Sequence, residues 1–113
     1  MPAKLKPLSE QVLVITGASS GIGLATARQA AKAGAAVVLV ARNEVALQSI
    51  ADELNAAGAR AHPVAADVGD PEAVERVARA AIARFGGFDT WVNVAGVAVY
   101  GDLDEVSHAL QVA

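Results

Sequence analysis

Five uncharged residues, Val12-Leu13-Val14-Ile15-Thr16, run directly into Gly17-Ala18-Ser19-Ser20-Gly21-Ile22-Gly23. The aliphatic run reads as a buried strand, and the glycine-spaced segment after it reads as a turn that opens a helix. Glycines in such a turn let the backbone take φ > 0 and leave room where a Cβ would obstruct close approach. A strand feeding a helix this tightly belongs to a βαβ unit, so the chain is constrained toward a parallel sheet covered by helices. The first N–H groups of that helix face outward at the positive end of its dipole. A phosphate or pyrophosphate is the natural occupant of such a place.

The same alternation continues along the chain. Strands are expected over residues 11–16, 36–41, 59–66 and 88–94, with helices over 21–33, from Asn43 onward, and from Asp70 onward. Residues 36–41 form a continuous Val/Leu run, as expected of a strand buried on both faces. In the second helix Leu47, Ile50, Ala51 and Leu54 fall at i, i+3, i+4 and i+7, with Gly58 just past its end. Asp70, Pro71 and Glu72 open the third helix as N-cap, first residue and first-turn acid. Its apolar stripe is expected at Val74, Val77, Ala78 and Ala81, and Gly86-Gly87 end it. Pro63 cannot donate to a ladder, which places the third strand at an edge. The expected architecture is α/β: a Rossmann-type doubly wound parallel sheet, β-α-β-α-β-α-β, with strand order 3-2-1-4. One domain is expected over 1–113, with 1–10 as an N-terminal extension and 97–113 as the start of an incomplete continuation.

Composition narrows the function classes. The 113 residues carry a net charge of −3, which leaves no basic footprint for nucleic acid or an anionic membrane. There is no cysteine, so disulfides and thiolate metal sites are excluded. His62 and His108 have no clustered partner, and no metal is expected. No apolar run approaches the roughly 18 residues of a membrane span, and residues 1–10 lack a signal-peptide core. A soluble, cytoplasmic protein is expected. Glu72, Glu75, Arg76 and Arg79 read as a solvated helix face with (i, i+4) pairs, and Trp91 as core.

The stretch Thr16-Gly17-Ala18-Ser19-Ser20-Gly21-Ile22-Gly23 resembles the T-G-x3-G-I-G signature of the short-chain dehydrogenase/reductase family. Asn93-Val94-Ala95-Gly96, four residues after Asp89, resembles that family's D-x-x-V-N-N-A-G segment at the end of the fourth strand. Asp67-Val68 is similar to the acidic-apolar pair that the family commonly has after the third strand. These matches come in order, at expected strand ends, and cover nearly the whole chain. The resemblance implies that Gly17, Ser19, Ser20, Gly21, Ile22 and Gly23 hold a cofactor pyrophosphate. It implies that Asp67 accepts from the adenine amino group while Val68 touches the ring. Asn93, Ala95 and Gly96 would line the cofactor, with Asn93 also tying the fourth strand to its neighbour. Val94 departs from the pattern, standing where the family usually has a second Asn. Bland readings stand beside these: Ser19 and Ser20 as helix caps, Asp67 as a turn residue.

An acid after the second strand would hydrogen-bond the adenosine ribose 2′-hydroxyl of NAD. This chain has Ala41-Arg42-Asn43 there. A guanidinium can instead pair with a 2′-phosphate, so NADP(H) is favoured, with NAD as the alternative. Arg42 as a solvated residue at a helix start is the competing reading. Family members that prefer NADP often also carry a basic residue where this chain has Ser20.

The family's proton-transfer apparatus is a serine, a Tyr-x3-Lys pair and a helical asparagine. None of these can be placed here, because Tyr100 is followed four residues on by Asp104. The leading expectation is therefore the cofactor-binding half of an NADP-dependent dehydrogenase/reductase that binds dinucleotide weakly and does not turn over. A small-molecule substrate would belong to a full-length form. The alternative is a stand-alone nucleotide-binding or redox-sensing module. An S-adenosylmethionine methyltransferase shares the glycine turn but wants an acid where Arg42 stands. Without a fifth strand, the fourth is expected to offer an apolar edge for self-association.

Overall fold

In the computed structural model, which describes residues 6–94, four parallel strands and three helices alternate. They are β1 (Val12–Thr16), α1 (Gly21–Lys32), β2 (Ala36–Ala41), α2 (Glu44–Ala56), β3 (Arg60–Ala65), α3 (Pro71–Phe85) and β4 (Thr90–Asn93), after a 3-10 turn at Leu8–Glu10. The sheet order is β3-β2-β1-β4, as the edge proline and the alternation predict. β2 spans the expected residues and β1 ends where expected; β1, β3 and β4 begin one or two residues late, and β3 and β4 end one residue early. Gln11 lies before β1, and Phe88 and Asp89 lead into β4 rather than pairing in it.

Alternating side chains of β1 and β2 feed two cores. On one face Leu13, Ile15, Val37 and Leu39 meet Ala27, Ala30 and Ala31 of α1 and Leu47, Ala51 and Leu54 of α2. On the other, Val14, Val38 and Val40 meet Ala73, Val77 and Ala81 of α3. Alanine at the contact positions lets the helix axes approach the sheet closely, which accounts for a core with few aromatic rings. The buried stripe of α3 is Ala73, Val77 and Ala81: Val77 and Ala81 are buried as expected, Ala73 joins them, and Val74 and Ala78 are only half-buried. Trp91 is likewise partly buried against the α3-side core rather than enclosed in it.

The helix starts obey local chemistry. The Asn43 side chain accepts from Ala46 N at 3.0 Å, and the Asp70 carboxylate accepts from Glu72 N at 3.0 Å. On α3, Glu75 pairs with Arg79 as the (i, i+4) spacing suggests, whereas Arg76 reaches the Ala65 carbonyl instead.

Asp89 fastens the entry of β4 to the entry of β1. Its carboxylate accepts from Lys6 Nζ and from Val12 N, each at 2.8 Å, and its own N–H donates to Val12 O at 2.8 Å. The Lys6 hydrogen bond, then the Val12 N–H, hold the Asp89 carboxyl below its ordinary value of 3.8. A carboxylate with a depressed folded pKa contributes stability above its unfolded pKa and loses it as pH falls through the folded value. The melting temperature should therefore drop on acidification below about pH 4. Asp89→Asn should lower it at neutral pH and flatten part of that acid limb; a pair of parallel melting-versus-pH curves would remove this role.

Candidate functional site

The four strands end on one side of the sheet, and the residues singled out in the sequence stand at those ends. After β1 the chain turns through Gly17 (φ 65°) and Gly21 (φ 57°), both in the left-handed region. The turn is pinned to β2 by Ala18 N donating to Val40 O at 3.1 Å. Helix α1 then starts so close to the strand end that a Cβ at Gly23 would lie 1.9 Å from the Gly17 carbonyl oxygen. No side chain fits there.

Ser20 is the N-cap of α1, but its hydroxyl makes no capping bond, contrary to the capping reading of that serine. The first i→i+4 bond of the helix runs from Leu24 N to Ser20 O. Among the described residues the N–H groups of Gly21, Ile22 and Gly23 have no protein acceptor. Three unspent donors at a helix N-terminus, in a turn where only hydrogen fits at Gly23, match the geometry and charge of a bound phosphate group.

A cleft of about 370 Å³ lies beside this turn, lined by Gly17, Ser19, Val40, Ala41, Arg42, Asn43, Ala66, Asp67 and Val68. It therefore gathers Gly17, Ser19, Arg42, Asp67 and Val68 from the ends of three different strands. Ser20, Gly21, Ile22 and Gly23 belong to the adjoining helix start and do not line it. Arg42 is exposed and has no salt-bridge partner among the described residues. One Asp67 oxygen, Oδ1, accepts from Gly69 N at 2.9 Å, which leaves Oδ2 uncommitted. A second slot of about 340 Å³ shares Val68 and is lined also by Val74, Phe88, Trp91 and Asn93. Ala95 and Gly96 lie outside the described residues, as does Tyr100.

Asn93 is joined to β1 through Thr16. The Thr16 hydroxyl, fully buried, donates to Asn93 Oδ1 at 2.7 Å and accepts from Val94 N at 3.1 Å. Because Oδ1 accepts, the Asn93 amide nitrogen has no acceptor among the described residues, at the exposed end of β4. Sequence reasoning does not single out Thr16 as a site residue, although one signal is available. A lone hydroxyl closing an aliphatic strand must find partners once buried. His62 on β3 plays no part in the cleft; burial, with the Arg84 charge, keeps its imidazole below the ordinary 6.5 and so neutral at pH 7.

Residues 11–111 match the short chain dehydrogenase family. The chain belongs to that family. It is 58% identical over 104 residues to an uncharacterized oxidoreductase, YxnA, of Bacillus subtilis, covering 92% of this chain and 29% of that protein. L-sorbose reductase from Gluconobacter frateurii, solved with NADPH and L-sorbose, superposes with a TM-score of 0.73 at 41% identity, over 88% of this chain and 41% of that one. A short chain dehydrogenase/reductase from Burkholderia phymatum, solved with NAD, gives 0.78 at 40% identity, over 82% and 33%. The chain thus spans about a third of the length of the short chain dehydrogenases it matches.

Two glycines of the turn should fail for different reasons. Gly21→Ala meets no atom within 4 Å and carries only the strain of its positive φ, about 1–2 kcal/mol. Gly23→Ala must push α1 off the end of β1 and should cost more, about 1–3 kcal/mol of overpacking plus the lost helix–strand contact. Urea unfolding of the two variants checks the order, and equal midpoints would contradict it.

Proposed function

We propose that these residues form the NADP(H)-holding part of an oxidoreductase that moves a hydride between the nicotinamide and a carbonyl or alcohol carbon. The observation that carries this reading is the convergence of the Gly17 turn, Arg42 and Asp67-Val68 on one cleft, at the strand ends where doubly wound sheets take their ligands. Gly17, Ser19, Ser20, Gly21, Ile22 and Gly23 would hold the pyrophosphate, with the unspent N–H groups of the first turn as donors. Arg42, exposed and unpaired among the described residues, would meet the 2′-phosphate. Asn43 Oδ1 accepts from Ala46 N in its helix cap, so only its Nδ2 could donate to that phosphate. Asp67 would accept from the adenine amino group through Oδ2, with Val68 against the ring. Asn93, its amide turned by Thr16, would offer Nδ2 along the cofactor, followed by Ala95 and Gly96.

When bound, the dinucleotide supplies or receives the hydride. These residues bind and orient it. They include no Tyr-x3-Lys pair to move the proton, so the same reading gives them binding without turnover. Purified protein mixed with NADPH and simple aldehydes or ketones should show no loss of 340 nm absorbance above the protein-free rate; steady oxidation would defeat this.

Relatives are solved with NADPH and with NAD, and in this reading Arg42 is what favours NADP(H). A charge-assisted bond to phosphate is worth about 1.5–3 kcal/mol, on the order of 10–100-fold in affinity. Arg42→Ala should weaken NADP by about that factor while leaving NAD nearly unchanged, as measured by calorimetric titration. An unchanged NADP-to-NAD ratio would return Arg42 to the solvated helix start.

A further inference from the structure

Residues 6–11 cross the end of the sheet where the strands begin, on the side away from the cleft. The strand entries stand there in one row. The register sets Arg60 beside Ala36 and Ala36 beside Val12, and Asp89 bonds to Val12 on the other side. Arg60 and Asp89 are thus three strand spacings apart, roughly 14 Å, and β3 and β4 share no ladder. Both nevertheless reach the same short segment.

At the β4 end, Lys6 Nζ donates to Asp89 Oδ1 at 2.8 Å. At the β3 end, Arg60 Nη2 donates to Ser9 O at 3.2 Å and to Gly34 O at 2.9 Å, so one guanidinium joins the segment to the loop between α1 and β2. Gly34 makes room for this crossing. It has φ 97°, and a Cβ on it would lie 3.0 Å from Ser9 Cβ. Between the two anchors the segment is stiff. Pro7 fixes φ at −57°, Glu10 N donates to Pro7 O at 2.9 Å, and Gln11 N donates to Leu8 O at 3.0 Å. Gln11 Nε2 ties back to Lys6 O at 2.8 Å, while its Oε1 accepts from the Thr90 hydroxyl at 3.2 Å. None of residues 6–10 is buried. Polar bonds rather than apolar burial hold the segment, and such a segment opens at low cost without the rest of the fold.

We propose that residues 6–11 form a strap that closes and opens as one unit across the strand entries, fastened by a cation at each end: Lys6 to β4 and Arg60 to β3. The two fastenings run in opposite directions. Lys6 is the strap's own charge and seeks an anion of the sheet, whereas Arg60 belongs to the sheet and seeks a carbonyl of the strap. Neither touches the other, so what they share is the closed turn between them. The turn makes the ends interdependent. When Lys6 leaves Asp89, the Pro7–Gln11 turn loses the support that presents Ser9 O to Arg60; when Arg60 lets go, the same turn no longer aims Lys6 at Asp89. The strap thus joins two strands that do not pair, and its opening leaves the ladders of the sheet in place.

A glutamate-specific protease reads the opening, because it can cut after Glu10 only when the turn is undone. Lys6→Ala and Arg60→Ala should each speed release of residues 1–10, followed by mass spectrometry, by about 2–5-fold, the worth of one exposed charged contact. The double variant should show about the product of the two factors. Hydrogen exchange at the Glu10 and Gln11 amides, which close the turn, should quicken by the same factor as the cut in each variant. Cleavage after Glu53, inside α2, is the gauge of global unfolding and should keep its native rate. Either single variant cutting after Glu10 at the native rate overturns the proposal, since that anchor then does not hold the strap. A double variant no faster than the faster single one overturns it as well. So does acceleration after Glu53 in step with Glu10, because the segment then opens only with the whole fold.

Discussion

The closeness of Gly23 to the Gly17 carbonyl is the contact on which the rest of the molecule depends. It brings the first turn of α1 to the end of β1 with nothing between them but hydrogen. That one distance has two consequences. The helix leaves at the angle that packs Ala27, Ala30 and Ala31 onto Leu13 and Ile15. Its unspent N–H groups are also delivered to the rim of the sheet, where the ends of β2 and β3 bring Arg42 and Asp67. Stability and the proposed binding thus draw on the same atoms, so the turn cannot be altered without disturbing the helix–sheet contact.

Around that contact, polar ties fix the order of strands at both ends of β1. Asp89 and Lys6 hold β4 to β1 where the strands begin, and Thr16 holds Asn93 and Val94 where they finish. The short β4 pairs with a single described neighbour, and these side-chain bonds supplement a ladder of four residues. Thr16 has a second effect. By donating to Oδ1, it leaves the Asn93 amide nitrogen without an acceptor among the described residues, and so decides which polar atom that strand presents.

Much of this was legible in the chain. Strand order came from Pro63 and the βα alternation, and the caps at Asn43 and Asp70 came from their side chains, because these are local steric and hydrogen-bonding rules. The glycine spacing and Asp67-Val68 pointed to the cleft for the same reason. Less legible were positions decided by neighbours distant in sequence. Ala73 joined the α3 stripe because a small residue there lets the helix sit down on Val38 and Val40. Trp91 stayed half-exposed because β4 is an edge among the described strands. Ser20 left its hydroxyl free of the capping role its residue type suggests.

The sequence by itself determined the class of fold, the turn that opens α1 and the kinds of residue that close each strand, since each depends on contacts a few positions apart. Only the tertiary structure decided that Gly23 abuts Gly17, that Arg42 and Asp67 share a cleft with Ser19, and that Thr16 orients Asn93. Those facts join residues up to 77 positions apart, and only the close packing of the folded sheet sets such distances.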